Sequence, residues 1–388
     1  MEVQQLLKNQ SEKFNLPDNQ IYLNCAYMSP MLKSVEEAGI AGIRRKRNPA
    51  SVAPEDFFSE TEILRQEFGK LIGTEEYQRI VVIPSVSYGI ASVTNNIDIK
   101  PGESIITMGE QFPSNYYPWK NLCERSGATL KAIKAPDTFQ NRGRLWNQKI
   151  LDAIDSNTKV VAMAHVHWAD GTLFDLKAIR EKTHSVGALL VIDGTQSIGA
   201  LPFDIKEIAP DALICAGYKW LFGPYSIGLA YYGKYFDYGK PIEENWINRA
   251  DSEDFASLVS YQDAYQPGAL RYEVGEHSNF ILVPMMLEAL KQINAWKPSN
   301  IQEYCASITA QALKRLNDSN FIVEDSRYRG EHLFGIRAKA GINQQRLKTL
   351  LARENILVSV RGDAVRVAPH LYNTSDDMER LIDGLLQL

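Results

Sequence analysis

The sequence predicts an α/β protein in which a mostly parallel, helix-covered sheet is followed by a smaller α+β unit at the C-terminal end. Short apolar runs, among them residues 79–83, 160–164 and 188–193, alternate with segments of helical spacing. Apolar runs of this length are typical of strands buried on both faces. Their alternation with helices indicates a parallel sheet, and from about residue 320 strands and helices follow a second, mixed pattern.

Length and charge bound the class of protein. A chain of 388 residues exceeds what one core usually serves, so more than one domain is expected. We predict an N-terminal arm over residues 1–20 that contains a short helix, a large domain over residues 21–270 and a small C-terminal domain over residues 271–388. The formal net charge of −5 gives no electrostatic reason to expect binding to nucleic acid or to an anionic membrane.

The four cysteines, Cys25, Cys123, Cys215 and Cys305, are far apart and include no C-x-x-C pair. This spacing indicates neither a metal site nor a disulfide framework, and it favours a reducing, cytoplasmic compartment. The first residues lack the apolar core of a signal peptide, and no stretch approaches the ~20 apolar residues of a membrane span. We therefore expect no metal and no membrane partner.

Two apolar runs lead into ionisable side chains: Asp193 ends the run 188–193, and Lys219 follows the run 213–216. Ligands of parallel sheets bind outside the carboxyl ends of the strands, so both side chains are expected at one site. An acid there can pair with a protonated ring nitrogen, and a desolvated lysine can act as a nucleophilic amine. Pyridoxal phosphate needs both groups. The alternatives are a turn-capping aspartate and a solvated lysine.

Two further segments suit the same cofactor. Residues 84–89, Pro-Ser-Val-Ser-Tyr-Gly, lead from a strand into a helix, and N–H groups and hydroxyls at such a start can hold a phosphate. Simple serine N-capping explains the same pattern. No Walker loop and no G-x-G-x-x-G is present. Phe112, followed by Pro113, can stack on a flat ring or belong to the core.

From about Ile21 to the C-terminus the chain resembles the class V aminotransferases, fold type I pyridoxal-phosphate enzymes that include cysteine desulfurases, kynureninases and isopenicillin-N-epimerase-like proteins. The resemblance rests on residues 193–196, Asp-Gly-Thr-Gln, and residues 217–219, Gly-Tyr-Lys, in the family's order and spacing. It implies that Lys219 forms the Schiff base with the cofactor and that Asp193 pairs with the ring nitrogen. The other implied contacts are Val86, Ser87, Tyr88 and Tyr218 for the phosphate, Gln196 for the phenolic oxygen and Phe112 for the ring face.

The resemblance also assigns a substrate contact. Arg366 matches the family arginine that binds the substrate's α-carboxylate, a role that suits a planar bidentate donor; a surface arginine is the alternative. Desulfurases carry a mobile cysteine loop shortly before this arginine. In this chain the corresponding segment, residues 359–364, is short and contains no cysteine. Desulfurase activity is therefore not expected. Trp168 replaces the family's usual asparagine near the ring, which leaves the membership of His167 and Trp168 in the site open.

The sequence thus predicts a pyridoxal-phosphate-dependent enzyme that acts at Cα of an amino acid, most simply an aminotransferase that passes the amino group to a 2-oxo acid. Epimerisation or racemisation and lyase or kynureninase-type cleavage are alternatives. Proteins of two other classes also remain: a non-catalytic pseudoenzyme of the same fold and a nucleotide-binding doubly wound protein. The resemblance implies a homodimer with active sites at the subunit interface, to which the aromatic residues of 233–277 would contribute.

Overall fold

A computed structural model describes residues 7–388 of the chain. Residues 1–6 of the predicted N-terminal helix lie outside this range. Within residues 7–20 the helix prediction was wrong, since the regular element there is a short 3-10 turn, Ser11–Lys13. The reason is that backbone N–H groups of this segment bond to acceptors outside a helical ladder. Gln10 N donates to Leu371 O at 2.7 Å, and Ser11 N donates to Asn9 Oδ1 at 2.8 Å.

The strands of the described chain fall into three groups by hydrogen bonding. In chain order they are β1 Ile21–Tyr22, β2 Ile80–Ile83, β3 Ser104–Met108, β4 Thr129–Ile133, β5 Thr158–Ala164, β6 Leu189–Asp193, β7 Ala212–Ala216, β8 Gly228–Tyr232, β9 Phe321–Val323, β10 Phe334–Ala338, β11 Ile356–Leu357, β12 Ser359–Arg361 and β13 Ala364–Val367.

Helices occupy most of the connections. They are α1 Lys33–Arg45, α2 Ser59–Ile72, α3 Val86–Thr94, α4 Tyr117–Ser126, α5 Arg142–Ala153, α6 Leu176–Val186, α7 Ile205–Ile208, α8 Leu282–Trp296, α9 Pro298–Lys314, α10 Gln344–Arg353 and α11 Ser375–Leu385. Within residues 7–388, none of these helices combines the length and the apolar character that crossing a membrane requires.

The large sheet has the strand order β2-β8-β7-β6-β5-β3-β4. Only β8 runs against the other strands, because it pairs antiparallel with both β2 and β7. The predicted mostly parallel sheet is therefore confirmed. Its strands are buried on both faces: Leu190 and Ile192 of β6 pack into one hydrophobic core, and Leu189 and Val191 pack into a second core on the opposite face. Helices cover both sides.

The small sheet is antiparallel, with the order β12-β13-β10-β9. One face packs its apolar side chains, such as Ile336 and Val365, against Met378 and Leu381 of α11. In the register, Arg361 lies opposite Ala364, Ser359 opposite Arg366, and Ala364 opposite Arg337. Directly opposed residues share a face of a sheet. The face away from α11 therefore carries arginines.

The first strand joins the end of the chain. β1 pairs in parallel with β11, and Leu23 then donates to Leu357 O at 3.0 Å and accepts from Ala368 N at 2.8 Å. Cys25 N donates to Ala368 O at 3.2 Å. Residues 21–25, placed at the start of the predicted large domain, thus pack between two C-terminal segments. The division of the chain at residue 270 stays a prediction.

Candidate active site

The predicted acid and amine lie at neighbouring strand ends. β6 and β7 are adjacent and parallel, with Asp193 opposite Ile214. Asp193 ends β6, and the loop after β7 brings Lys219 to the same cavity, which has a volume of about 350 Å³. The geometry follows from parallel strands, whose carboxyl ends meet at one edge of the sheet.

Asp193 is a buried carboxylate, only 6% exposed. One of its oxygens accepts a hydrogen bond from Thr195 N at 3.0 Å, so the turn-capping interpretation is also correct. Burial raises the pKa of Asp193, an effect that Thr195 and the charge of Lys219 partly oppose. Within the described residues Asp193 forms no salt bridge. A carboxylate buried this way favours a cationic partner.

Lys219 is 6% exposed, so the alternative of a solvated lysine was wrong. Desolvation lowers the pKa of its amine to about 8; the charge of Asp193 opposes the shift, and the charges of Arg366 and Arg361 add to it. Its Nζ lies 5.3 Å from the centre of the Phe112 ring and 5.6 Å from that of Tyr218. It makes no hydrogen bond or salt bridge to any described residue. The amine is thus available as a nucleophile or a base.

The start of α3 forms one end of the cavity. Ser85 caps this helix, because its Oγ accepts from Tyr88 N at 3.2 Å, and Ser85 Oγ and Ser87 Oγ are 2.9 Å apart. The N–H groups of Val86 and Ser87 have no acceptor among the described residues, as is usual in a first helical turn. Val86 and Ser87 line the cavity. The serine cap therefore leaves two N–H donors and one of the two hydroxyl protons free to hold an anion.

Aromatic side chains form a wall of the cavity. Phe112 and Trp168 both line it, and their rings meet edge to face with centroids 5.5 Å apart. Phe112 belongs to none of the buried core clusters of the described chain, so the core interpretation was wrong. Tyr218 also lines the cavity, and its ring lies 4.6 Å from that of Tyr225.

Gln196 lines the cavity while its amide is held from behind. Its Nε2 donates to Ala26 O at 3.1 Å, and its Oε1 accepts from Trp220 Nε1 at 2.8 Å. His332 Nε2 lies 2.8 Å from Gln196 O, and burial lowers the pKa of His332 to about 4. A neutral imidazole therefore ties the loop after β6 to the segment that precedes β10. The predicted contact of Gln196 with a ring oxygen stays a prediction.

Arg366 is 2% exposed, so the surface alternative was wrong. Its Nη1 donates to Trp168 O at 2.7 Å and its Nη2 to Ser359 Oγ at 3.3 Å, while its buried Nε has no partner. Burial lowers the pKa of Arg366 to about 10, with the charge of Arg361 adding to the effect. No carboxylate of the described chain pairs with it. Arg366 itself does not line the cavity, but Trp168, to which it is bonded, does.

Three sequence-based interpretations need a separate account. Tyr88 does not line the cavity; its hydroxyl donates to Glu243 Oε1 at 2.7 Å, and its phosphate role stays a prediction. His167 is turned away, with its ring nitrogens near Asp170 Oδ1 at 3.1 Å and Glu110 O at 3.2 Å. Trp168, by contrast, is a member of the cavity wall.

The cavity has members that sequence reasoning missed. Thr195 lines it and connects the two strand ends, because Thr195 Oγ1 accepts from Ala216 N at 3.1 Å. The Asp-Gly-Thr turn is a signal that would have found it. The remaining missed members, which no local pattern marks, are Gln111, Ser114, Ala164, Val166, Ala216, Tyr225, Ser226 and Ile227.

Comparison with known proteins assigns this arrangement to a family. The family model described as Aminotransferase class-V matches residues 46–381. An uncharacterized aminotransferase of Bacillus subtilis (strain 168), YcbU, is 28% identical over 327 residues, 84% of this chain and 83% of the relative. A cysteine desulfurase of Escherichia coli O8 is 25% identical over 352 residues, 84% and 82% of the two chains.

Solved structures share the fold. The apo cysteine desulfurase of Thermococcus onnurineus superimposes with a TM-score of 0.82 at 19% identity, covering 98% of both chains. A C-DES mutant with glycine covalently linked to its PLP cofactor gives a TM-score of 0.83 at 16% identity, covering 98% of this chain and 99% of that one.

The cavity fits this cofactor. Unspent N–H donors of Val86 and Ser87 suit its phosphate, the unpaired carboxylate of Asp193 suits its ring nitrogen, and the unpaired amine of Lys219 suits its aldehyde. The chain belongs to the class V aminotransferase family and is a pyridoxal-phosphate-dependent enzyme.

Proposed function

We propose that the protein is an aminotransferase that moves the amino group of an amino acid to a 2-oxo acid. The observation that carries the proposal is the setting of Lys219: a buried amine with a pKa near 8, at a cavity shared with Asp193 and under the electrostatic influence of Arg366. These are the groups that chemistry at Cα of an amino acid requires.

Each side chain has a separate task. Bound pyridoxal phosphate supplies an aldehyde that joins to amines and a ring that withdraws electrons from the substrate's Cα. Asp193 keeps the positive charge on the ring nitrogen, and Arg366 binds and orients the α-carboxylate. Lys219 Nζ would hold the cofactor's aldehyde in the resting enzyme and, as a free amine, would take the proton from Cα. The first turn of α3 would hold the phosphate and so fix the position of the cofactor relative to Asp193 and Lys219.

Amino transfer is the simplest reaction that one amine base at the cavity supports. Amino transfer needs one base on one side of the substrate, whereas inversion at Cα needs a second proton donor on the opposite side. Among the described residues, the ionisable side chains that line the cavity are Asp193, Lys219, Tyr218 and Tyr225. Asp193 is assigned to the ring nitrogen. Lys219 is therefore the one amine base at the cavity, and the hydroxyls of Tyr218 and Tyr225 are the groups that could supply the second proton in an inversion.

Several relatives are named cysteine desulfurases, but the features of this chain argue against that activity here. A desulfurase nucleophile must reach the substrate as a thiolate. All four cysteines are buried, and burial raises the pKa of Cys25, Cys123, Cys215 and Cys305. The β12–β13 hairpin turns over just two residues, Gly362 and Asp363, and carries no thiol.

We also infer a homodimer with the active sites at its interface. Tyr27 and Tyr225 are large apolar side chains near the cavity, and they are 56% and 64% exposed. Large aromatic side chains exposed beside a site suit burial against a second subunit. We expect light scattering at micromolar concentration to give twice the chain mass of 43.7 kDa; a single-chain mass would contradict the inference.

The experiment that tests the reaction uses pure enzyme loaded with pyridoxal phosphate. It is incubated with a panel of amino acids and 2-oxo acids in deuterated water, and the products are analysed by mass spectrometry and chiral chromatography. We expect a new amino acid made from the 2-oxo acid, with a matching amount of 2-oxo acid made from the donor. Exchange of the Cα proton without amino transfer, or sulfur release from cysteine, would reject the proposal.

A further inference from the structure

Three arginines share one face of the small sheet, but only one of them is neutralised. Arg337 Nη2 lies 2.7 Å from Asp170 Oδ2, and its Nε lies 2.9 Å from Asp363 Oδ1. Arg361 and Arg366 form no salt bridge with any residue of the described chain. Because a buried or half-buried cation without a counter-charge is costly, such a pair on one face calls for anions from outside the chain.

Arg361 and Arg366 are diagonal neighbours on the β12–β13 hairpin. The direct partners are Arg361 with Ala364 and Ser359 with Arg366. Diagonal neighbours on an antiparallel pair lie about 7–8 Å apart. Two long guanidinium-bearing side chains at that spacing can be reached by a single small molecule that carries an anion at each end.

Trp168 connects both arginines to the cavity. Its carbonyl oxygen accepts from Arg366 Nη1 at 2.7 Å, and the Arg361 guanidinium lies 5.7 Å from the centre of its ring. Its indole Nε1 is anchored to Glu110 O at 2.7 Å, which fixes the ring. A guanidinium stacked on an aromatic ring keeps its in-plane N–H donors. The one donor that Arg361 spends is Nη1, to Val360 O at 3.0 Å.

Electrostatics agrees with this placement. The charges of Arg361 and Arg366 both act on Lys219 and lower the pKa of its amine, and Arg361 also lowers the pKa of Arg366. The two guanidinium groups and the Lys219 amine therefore lie in one electrostatic environment. An amino acid with a neutral side chain neutralises Arg366 alone and leaves Arg361 without a counter-charge.

We propose that Arg361, stacked on Trp168, forms a subsite for a side-chain carboxylate, so that the amino donor is a dicarboxylic amino acid of the aspartate or glutamate class. The inference rests on the proposed function, because it assumes that Arg366 binds the α-carboxylate of the same molecule. Arg361 is a specificity residue: it contacts the substrate side chain and takes no part in moving the proton.

The test uses the full-length enzyme loaded with pyridoxal phosphate and follows the change in cofactor absorbance as amino acids are titrated in. Aspartate and glutamate are compared with asparagine and glutamine, which have the same size and no side-chain charge. We expect the acids to bind at least tenfold more tightly than their amides. Cysteine sulfinate and O-phosphoserine are included to separate a carboxylate site from a site for other anions.

Variants locate the subsite. R361Q should weaken aspartate or glutamate binding ten- to a hundredfold and leave the amides unchanged, whereas R361K should keep part of the preference because it retains the charge. R353Q, at an exposed arginine of α10 that pairs with Glu354, is the matched control and should change neither. Circular dichroism and thermal melting establish that each variant is folded.

The outcomes separate the two levels of inference. If amides bind as tightly as acids, or if R361Q leaves the preference intact, the subsite proposal fails while the aminotransferase proposal stands. Tighter binding of O-phosphoserine or cysteine sulfinate than of the dicarboxylic acids would overturn the carboxylate assignment. If no amino acid in the panel changes the absorbance, the proposed function fails first, and the subsite fails with it.

Discussion

At the carboxyl edge of the large sheet, Asp193 and Lys219 present opposite charges to one cavity, whereas the small sheet presents two arginines, Arg361 and Arg366, with which no carboxylate of the described chain pairs. Both regions contain buried charges that no described residue neutralises. Arg337, on the same face of the small sheet, is neutralised, because Asp170 and Asp363 pair with it. The difference indicates that unpaired charges here serve ligands, the cofactor at one sheet and the substrate at the other.

The largest effect is expected from K219A, which removes the amine of the large-sheet region. Amino transfer should slow by at least roughly a thousandfold in single-turnover assays, because the chain loses both the nucleophile and the general base. Borohydride reduces a Schiff base to a stable secondary amine, so after dialysis a pyridoxyl group should remain on the wild-type enzyme and be absent from K219A. K348A, at an exposed lysine of α10, should behave as wild type. A pyridoxyl group that stays on K219A after this treatment would overturn the assignment.

The second prediction concerns the unpaired arginine of the small sheet. R366Q should weaken the binding of the amino acid by about 3 kcal/mol, because the α-carboxylate loses a buried charged partner. KM for the amino acid should therefore rise by roughly two orders of magnitude. The turnover number should change much less. Steady-state kinetics of R366Q beside the exposed control R353Q measures the difference, and an unchanged KM would remove Arg366 from the substrate site.

The paired arginine should respond in the opposite way. R337Q leaves the buried Asp170 without one of its cations, so the free energy of unfolding in urea should fall by about 2 kcal/mol, with His167 and Arg142 limiting the loss. KM should stay near the wild-type value. D363N, which alters the exposed partner, should cost less than about 1 kcal/mol. A larger change in KM than in stability would contradict the contrast between paired and unpaired arginines.

The smallest effect is a shift in a pH profile. The pKa of Lys219 near 8 means that the amine of the apoenzyme is protonated below pH 8 and free above it. The rate of cofactor uptake should therefore rise about tenfold per pH unit up to about pH 8 and then level off. In D193N the levelling should occur at lower pH, since the Asp193 charge raises this pKa. Stopped-flow absorbance measures it, with pyridoxal as a control for phosphate titration.

A profile that keeps rising to pH 10 would show that Lys219 is not desolvated in the apoenzyme. The same experiment on R361Q and R366Q sharpens the comparison between the two sheets. Both arginines lower the pKa of Lys219, so both variants should move the levelling to higher pH. A shift in neither variant would mean that the small sheet does not act on the amine.

The parts of the site that the sequence predicted are those set by local pattern. Asp193 and Lys219 each follow an apolar run, and parallel strands bring such ends together whatever the order of the strands. The role of Arg366 was predicted from the resemblance of its segment to the family. The local pattern of apolar and polar residues does not indicate that role. Ser85 was expected either to cap a helix or to help hold a phosphate, and the observed cap leaves the neighbouring N–H donors free for the second task.

Other features depend on contacts between distant segments. β8 runs against β7 because the chain returns through the loop 217–227 with no helix between the two strands. The apolar run of β8 is the same for either direction. The Tyr88 hydroxyl bonds to Glu243, 155 positions away. The role proposed for Arg361 depends on its contact with the ring of Trp168, which lies on another element. The same holds for the first strand, whose partners β11 and Ala368 lie at the other end of the sequence.

That last pairing sets a time order for synthesis. Residues 21–25 leave the ribosome early, but Leu357 and Ala368, which hold them in place, are made more than 330 positions later, a delay on the order of half a minute at about 5–20 residues per second. Ala26, whose carbonyl oxygen accepts from Gln196 behind the cavity, follows this segment directly and is fixed in place after the same delay. A nascent chain therefore cannot complete the support behind Gln196 until the segments around Leu357 and Ala368 have been made.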